Sequence, residues 1–143
     1  MKTSTCALDR AWNIEIELDT AKIIKECNLI HTVTPSREPI ISSVHTRREF
    51  LHITCVGADT IGKQELSNSV IAAADLLICD SIAQCRERGE FQRLSDTAKI
   101  EELGAFLNHP KTLQNKHNFS IFDTTGMAAQ DIMIACLVSS LVS

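Results

Sequence analysis

A chain of 143 residues with a net charge of -4 has the size of one domain. A chain this long buries about 68–70% of its unfolded surface, so it needs no disulfide or metal staple. Its apolar share of 44% against 22% charged residues excludes a disordered chain, and without a basic stripe nucleic acid is not an expected partner.

The first residues, Met1 to Thr5, lead into Asp9 and Arg10 instead of an apolar signal region. The most apolar segment, Met127 to Val142, is short for a bilayer and contains Gln130 and Asp131. A cytosolic protein with no membrane partner is therefore expected. The six cysteines form no C-x-x-C pair, and with the five histidines they lack metal-ligand spacings, so no metal site is expected. Cys55 and Cys79 lie inside apolar runs, where a free thiol serves as a small hydrophobe.

Taken in order, Ile14 to Leu18 alternates apolar and charged residues, the pattern of a half-exposed strand. Asp19 or Thr20 caps a helix from Ala21 to about Glu26, with Ile23 and Ile24 facing inward. Leu29 to Thr34 reads as a strand ended by Pro35, and Ser36 to Pro39 is the loop at its carboxyl end. Phe50 to Val56 is the next strand.

Val56-Gly57-Ala58-Asp59-Thr60-Ile61-Gly62-Lys63-Gln64-Glu65-Leu66 follows that strand and precedes a helix over Ser67 to Ala74, whose alanine-rich part reaches Asp75. Two glycines flank an acid and a base at a strand's carboxyl end, where open α/β sheets bind ligands. Asp59 can move protons there, and Lys63 can meet an anionic or electron-rich ligand. The same residue types also make ordinary turns and helix caps.

Leu76 to Asp80 is an apolar strand of the kind buried on both faces. Ser81 caps a charged, mostly exposed helix from Ile82 to Glu90, with Gly89 placed to weaken or end it. Thr97 to Leu107 shows helical spacing and is followed by Pro110. Phe119 to Phe122 is the last strand, Asp123 to Gly126 a tight loop, and Met127 to Val142 a helix apolar on nearly all sides, expected to be largely buried. Strands alternating with helices predict βαβ units and a parallel sheet, with the loops Thr32 to Pro39, Gly57 to Lys63 and Asp123 to Gly126 on one edge.

These loops carry a resemblance. Thr32 to Pro39, Val56 to Leu66, Asp80-Ser81, and Phe122-Asp123-Thr124-Thr125-Gly126-Met127-Ala128-Ala129-Gln130-Asp131 resemble the ornithine cyclodeaminase/mu-crystallin family, in order and spacing, over about residues 13 to 143. The resemblance implies a Rossmann-type NAD(P)-binding domain. It implies hydride transfer between the nicotinamide and an amino acid or cyclic imine, as in ornithine cyclodeamination, ketimine reduction or amino-acid dehydrogenation. By the same resemblance Asp59 matches the family's proton donor and acceptor, Lys63 and Thr124 match cofactor contacts, and Thr32 and Thr34 match the strand-end loop beside the cofactor. Against these roles stand plainer ones: Thr32 and Thr34 as strand residues, Asp123 as a helix cap.

The chain also departs from the family. No glycine precedes Gly57, so a G-x-G-x-x-G phosphate loop is missing, as are the strand that selects NAD or NADP and the substrate and dimerisation domain. The expected architecture is a single partial Rossmann domain, mostly parallel, whose sheet has an uncovered edge that invites another chain. Three readings follow. The chain is an enzyme domain completed by an N-terminal polypeptide or by oligomerisation, an inactive remnant or nucleotide-binding module, or a truncated product. Alone, it is expected to be inactive.

Overall fold

The computed structural model describes residues 14–45, 49–108 and 118–142. Helix α1 (Thr20–Glu26) begins where Asp19 accepts the Ala21 N–H at 2.9 Å, the expected cap. Strands β1 (Leu29–Thr32) and β2 (Leu51–Cys55) are followed by α2 (Asn68–Ala72), β3 (Leu76–Cys79) and α3 (Ile82–Arg88). A 3₁₀ turn (Glu90–Arg93), β4 (Glu101–Glu102), α4 (Leu103–Asn108), β5 (Phe119–Asp123) and α5 (Ala128–Val142) complete the order.

All five strands pair in parallel in the order β1-β2-β5-β3-β4, which bears out the α/β expectation. The last strand in sequence is thus the middle strand in space. Leu51, Ile53 and Ile121 alternate inward along β2 and β5 and pack with Ile71, Leu66 and Phe91 in the core. The residues between them, His52, Thr54 and Ser120, are only half covered and bond to one another, His52 Nδ1 to Ser120 at 2.8 Å. In β3, Ile78 and Cys79 are buried while Leu76 and Leu77 are only partly so, less than the full burial expected. Cys55, Cys79 and Cys85 are buried thiols.

Four expectations need correction. Ile14 to Leu18 forms no strand: among the described residues no strand pairs with it, and Ile14, Ile16 and Leu18 are exposed. Strand β1 stops at Thr32, because the Thr34 N–H bonds to Glu65 and not to a neighbouring strand. The expected helix over Thr97 to Leu107 is irregular to Ile100, then pairs Glu101–Glu102 with β3, and turns helical only at Leu103. There Glu102 accepts the Ile82 N–H at 3.0 Å and caps α3, a task assigned to Ser81, whose side chain makes no cap bond. Pro110 lies outside the described residues.

The fourth correction concerns α5. No residue of α5 is buried, and Leu137, Leu141 and Val142 are 55–81% exposed. Its all-round apolar pattern asks for cover on every side, and among the described residues no element supplies it. No helix among them is long and apolar enough to cross a membrane.

Candidate functional site

The register aligns Thr32, Cys55, Asp123 and Cys79 across four neighbouring strands. The loops that follow therefore leave one edge of the sheet side by side. Asp59 and Lys63 occupy the loop after β2. Lys63 Nζ lies 2.6 Å from Asp59 Oδ1, and Thr60 donates to the same oxygen at 3.0 Å. The Lys63 bond, helped by Thr60, holds the Asp59 carboxyl below its ordinary range. Asp59 is open to solvent, its side chain 54% exposed, and Lys63 is more sheltered at 21%.

That loop is shaped from beneath by Gln92. Its oxygen accepts the Gly62 N–H at 2.9 Å, and its nitrogen donates to the carbonyls of Gly89 at 2.7 Å and Lys63 at 3.2 Å. At the other end, Gly57 passes so close to its neighbours that a Cβ would run into the Thr34 carbonyl and the Glu65 carboxylate. Only glycine fits there without displacement.

Glu65 is fully buried and accepts four hydrogen bonds. They come from Thr32 Oγ1 at 2.7 Å, Thr34 N at 2.6 Å, Thr34 Oγ1 at 2.8 Å and Gly57 N at 2.9 Å. The hydroxyls of Thr32 and Thr34 are thus turned inward, and Thr32 is itself buried. What these two residues do in the structure is join the loop after β1 to the loop after β2.

Below Glu65 lies Glu90, whose carboxyl accepts the N–H groups of Glu65 and Leu66, the latter at 2.6 Å. Burial pushes the Glu90 carboxyl up to about 7 against the pull of those two N–H groups, with Asp123 and Glu65 adding like charge. Asp123 is also buried; its Oδ2 accepts the Phe91 N–H at 3.2 Å, and its Oδ1 has no partner. Burial raises Asp123 to about 6. It braces the 3₁₀ turn and does not cap α5. The neighbouring Cys79, burial and Asp123 together push the Cys85 thiol well up, so it stays protonated.

Thr124 begins the loop after β5. Its N–H donates to the Cys55 carbonyl at 3.0 Å, beside the start of the Asp59 loop, and its hydroxyl donates to Asp80 at 2.9 Å. The structure therefore puts Asp59, Lys63 and Thr124 on adjacent strand ends, while Thr32 sits inside. The side chains that hold these loops, Glu65, Asp80, Glu90 and Gln92, carry no role in the sequence reading. Glu65 and Asp80 stand within the quoted motifs. Glu90 and Gln92 lie at and beyond the end of a charged helix, with nothing local to mark them as buried or bridging.

The pattern defining the ornithine cyclodeaminase/mu-crystallin family matches residues 2–143. The chain is 31% identical to an alanine dehydrogenase of Archaeoglobus fulgidus, covering 87% of this chain and 40% of that protein. It is 32% identical to the iminosuccinate reductase of Paracoccus denitrificans, over 88% of this chain and 40% of that protein. The crystal structure of that reductase in complex with NAD+ superposes with a TM-score of 0.78 at 30% identity, covering 87% of this chain and 39% of that one. An archaeal alanine dehydrogenase dimer with bound NAD gives 0.73 at 26% identity, over 91% of this chain and 42% of that one. The chain thus spans about two fifths of the length of these relatives. On the strength of this match across nearly its whole length, the chain belongs to the ornithine cyclodeaminase/mu-crystallin family.

Proposed function

We propose that this chain contributes the carboxyl-terminal part of a Rossmann domain to NAD(P)-dependent hydride transfer on an amino acid or cyclic imine, in the manner of ornithine cyclodeaminase. The observation that carries this reading is the alignment of the strand ends, which brings the Asp59–Lys63 pair and Thr124 to one edge of a parallel sheet. When bound, the nicotinamide supplies the site that gives or takes the hydride. In this reading Lys63 and Thr124 hold the cofactor. Asp59, kept as a carboxylate by Lys63, takes a proton from the substrate nitrogen so that its lone pair can support loss of hydride from the adjacent carbon, and the protonated Asp59 then gives that proton to the amine that leaves in cyclodeamination. Thr32 and Thr34 act on the cofactor only by setting the loop beside it.

The residues present suit the nicotinamide end. A pyrophosphate asks for a run of free N–H groups in a glycine-rich loop, and no glycine precedes Gly57. The rest of the grip, the substrate pocket and the dimer contacts are assigned to a complementing N-terminal polypeptide or a homo-oligomer. The solvent-open Asp59 and the uncovered α5 support that assignment. The whole of residues 1–143 is read as one domain. A cytoplasmic place belongs to this reading; among the described residues Cys27, Cys55, Cys79, Cys85 and Cys136 carry free thiols.

The test is binding of NAD(H) and NADP(H) to the purified chain by calorimetry or nicotinamide fluorescence, with Lys63→Ala as control. Binding that weakens in Lys63→Ala supports the assignment. A folded sample that binds nothing at millimolar cofactor favours the second reading, an inactive remnant of the family fold.

A further inference from the structure

The loop after β5 is held by one carboxylate. Asp80 Oδ2 accepts the Thr124 hydroxyl at 2.9 Å, the Thr125 N–H at 3.1 Å and the Gly126 N–H at 2.9 Å. Asp80 Oδ1 accepts the Ser81 N–H at 2.8 Å and the Cys85 thiol at 3.4 Å. All five partners are donors, and Asp80 is an acceptor on both oxygens. Thr125 is turned the same way, its hydroxyl bonded to Gln84 Oε1 at 3.0 Å.

This arrangement fixes a polarity. A hydroxyl has one proton and two lone pairs, and the Thr124 proton is spent on Asp80. What half-buried Thr124 can offer a ligand is a lone pair. The N–H groups of Thr124, Thr125 and Gly126 are also taken, by Cys55 and Asp80. Up to Gly126 the loop has no donor left for an anion or a carbonyl, and it suits a ligand that brings its own N–H.

We propose that Asp80 is a positioning residue that makes Thr124 an obligatory hydrogen-bond acceptor, and that Thr124 thereby selects a ligand with an N–H donor at this point. Resting on the function proposed above, that donor is the primary carboxamide of the nicotinamide ring. Thr124 stands beside the carboxyl end of β2, the strand that leads to Asp59, which puts this selection next to the proton-transferring group.

The experiment compares NAD+ with its 3-acetylpyridine analogue, in which a methyl ketone replaces the carboxamide and the N–H donors are lost while the carbonyl stays. The wild-type chain is expected to bind NAD+ about five- to tenfold more tightly, the worth of one hydrogen bond. Thr124→Val is expected to bring the ratio near one by weakening NAD+ alone, and Thr124→Ser to keep it. Asp80→Ala, in a sample whose melting shows it folded, is expected to lower the ratio because the Thr124 hydroxyl loses its acceptor and is freed to rotate. Equal binding of both dinucleotides by the wild type, or an unchanged ratio in Thr124→Val, overturns the selection and leaves the proposed function standing. An unchanged ratio in folded Asp80→Ala overturns the positioning role. Binding of neither dinucleotide by the folded wild type overturns the proposed function and this inference with it.

Discussion

Replacing Lys63 with methionine takes away the ammonium 2.6 Å from Asp59 and with it the main force holding that carboxyl below its ordinary range. The Asp59 titration, followed by the chemical shift of its side-chain carbon, is expected to move up toward the ordinary carboxylate value in Lys63→Met. A titration unmoved by the substitution would show that the two side chains do not meet in solution. Asp59 and Lys63 were legible in the sequence because glycines on both sides and a spacing of four residues follow from local chain geometry alone. Glu90 was not. A glutamate at the end of a charged helix looks solvated, and its burial arises only because the Glu65 and Leu66 N–H groups, more than twenty residues away, turn toward it. Thr32 was legible as a residue of the right loop, but the direction of its hydroxyl was set by Glu65, which no pattern in β1 reveals.

Segments follow the same division. Where a strand or helix is built by its own residues, as in α1 with its Asp19 cap, the sequence reading and the structure coincide. Where a neighbour decides, they part. Residues 101–102 carry a helical spacing but become a strand because Ile78 and Cys79 offer a free edge. The 3₁₀ turn shows what such a neighbour does to stability. In the folded chain Glu90 binds its proton up to a pH of about 7 instead of 4.5, and Asp123 up to about 6 instead of 3.8. Between pH 4 and 7 the native state therefore holds more protons than the unfolded one. This contribution to stability is fully present below that window and is lost as pH rises through it. Glu90→Gln keeps an oxygen for both N–H groups, since Oε1 already accepts each of them. It is expected to flatten the decline, removing a loss of about 3 kcal/mol between pH 4.5 and 7. Urea unfolding at stepped pH measures this, and an equally steep decline in the variant would place the titrating group elsewhere. Gly57→Ala is expected to cost about 1–3 kcal/mol in the same assay, because its new methyl meets backbone as well as side chain.

At the scale of the whole molecule the two striking imbalances are α5 and the strand order. Fifteen residues of apolar helix lie open, which predicts self-association of the isolated chain and strong binding of a hydrophobic dye. Substituting Ile134 and Leu141 with lysine is expected to reduce both while leaving the melting temperature nearly unchanged, since neither side chain packs against the sheet. A fall in melting temperature beyond a few degrees would mean that α5 is covered after all. The strand order has a consequence of another kind. Because β5 lies between β2 and β3, residues 29–55 and 76–102 share no strand pairing until residues 119–123 arrive. Synthesis reaches β5 only after the residues of both half-sheets, each with an open inner edge, have been made. Pairing Leu51 with Phe119 closes a long loop, a slow step compared with local contacts. A chain stopped at Asn108 keeps contacts such as Glu90 to Glu65 and Gln92 to Gly62 but lacks the strand that pairs the two half-sheets, and it is expected to unfold with much reduced cooperativity.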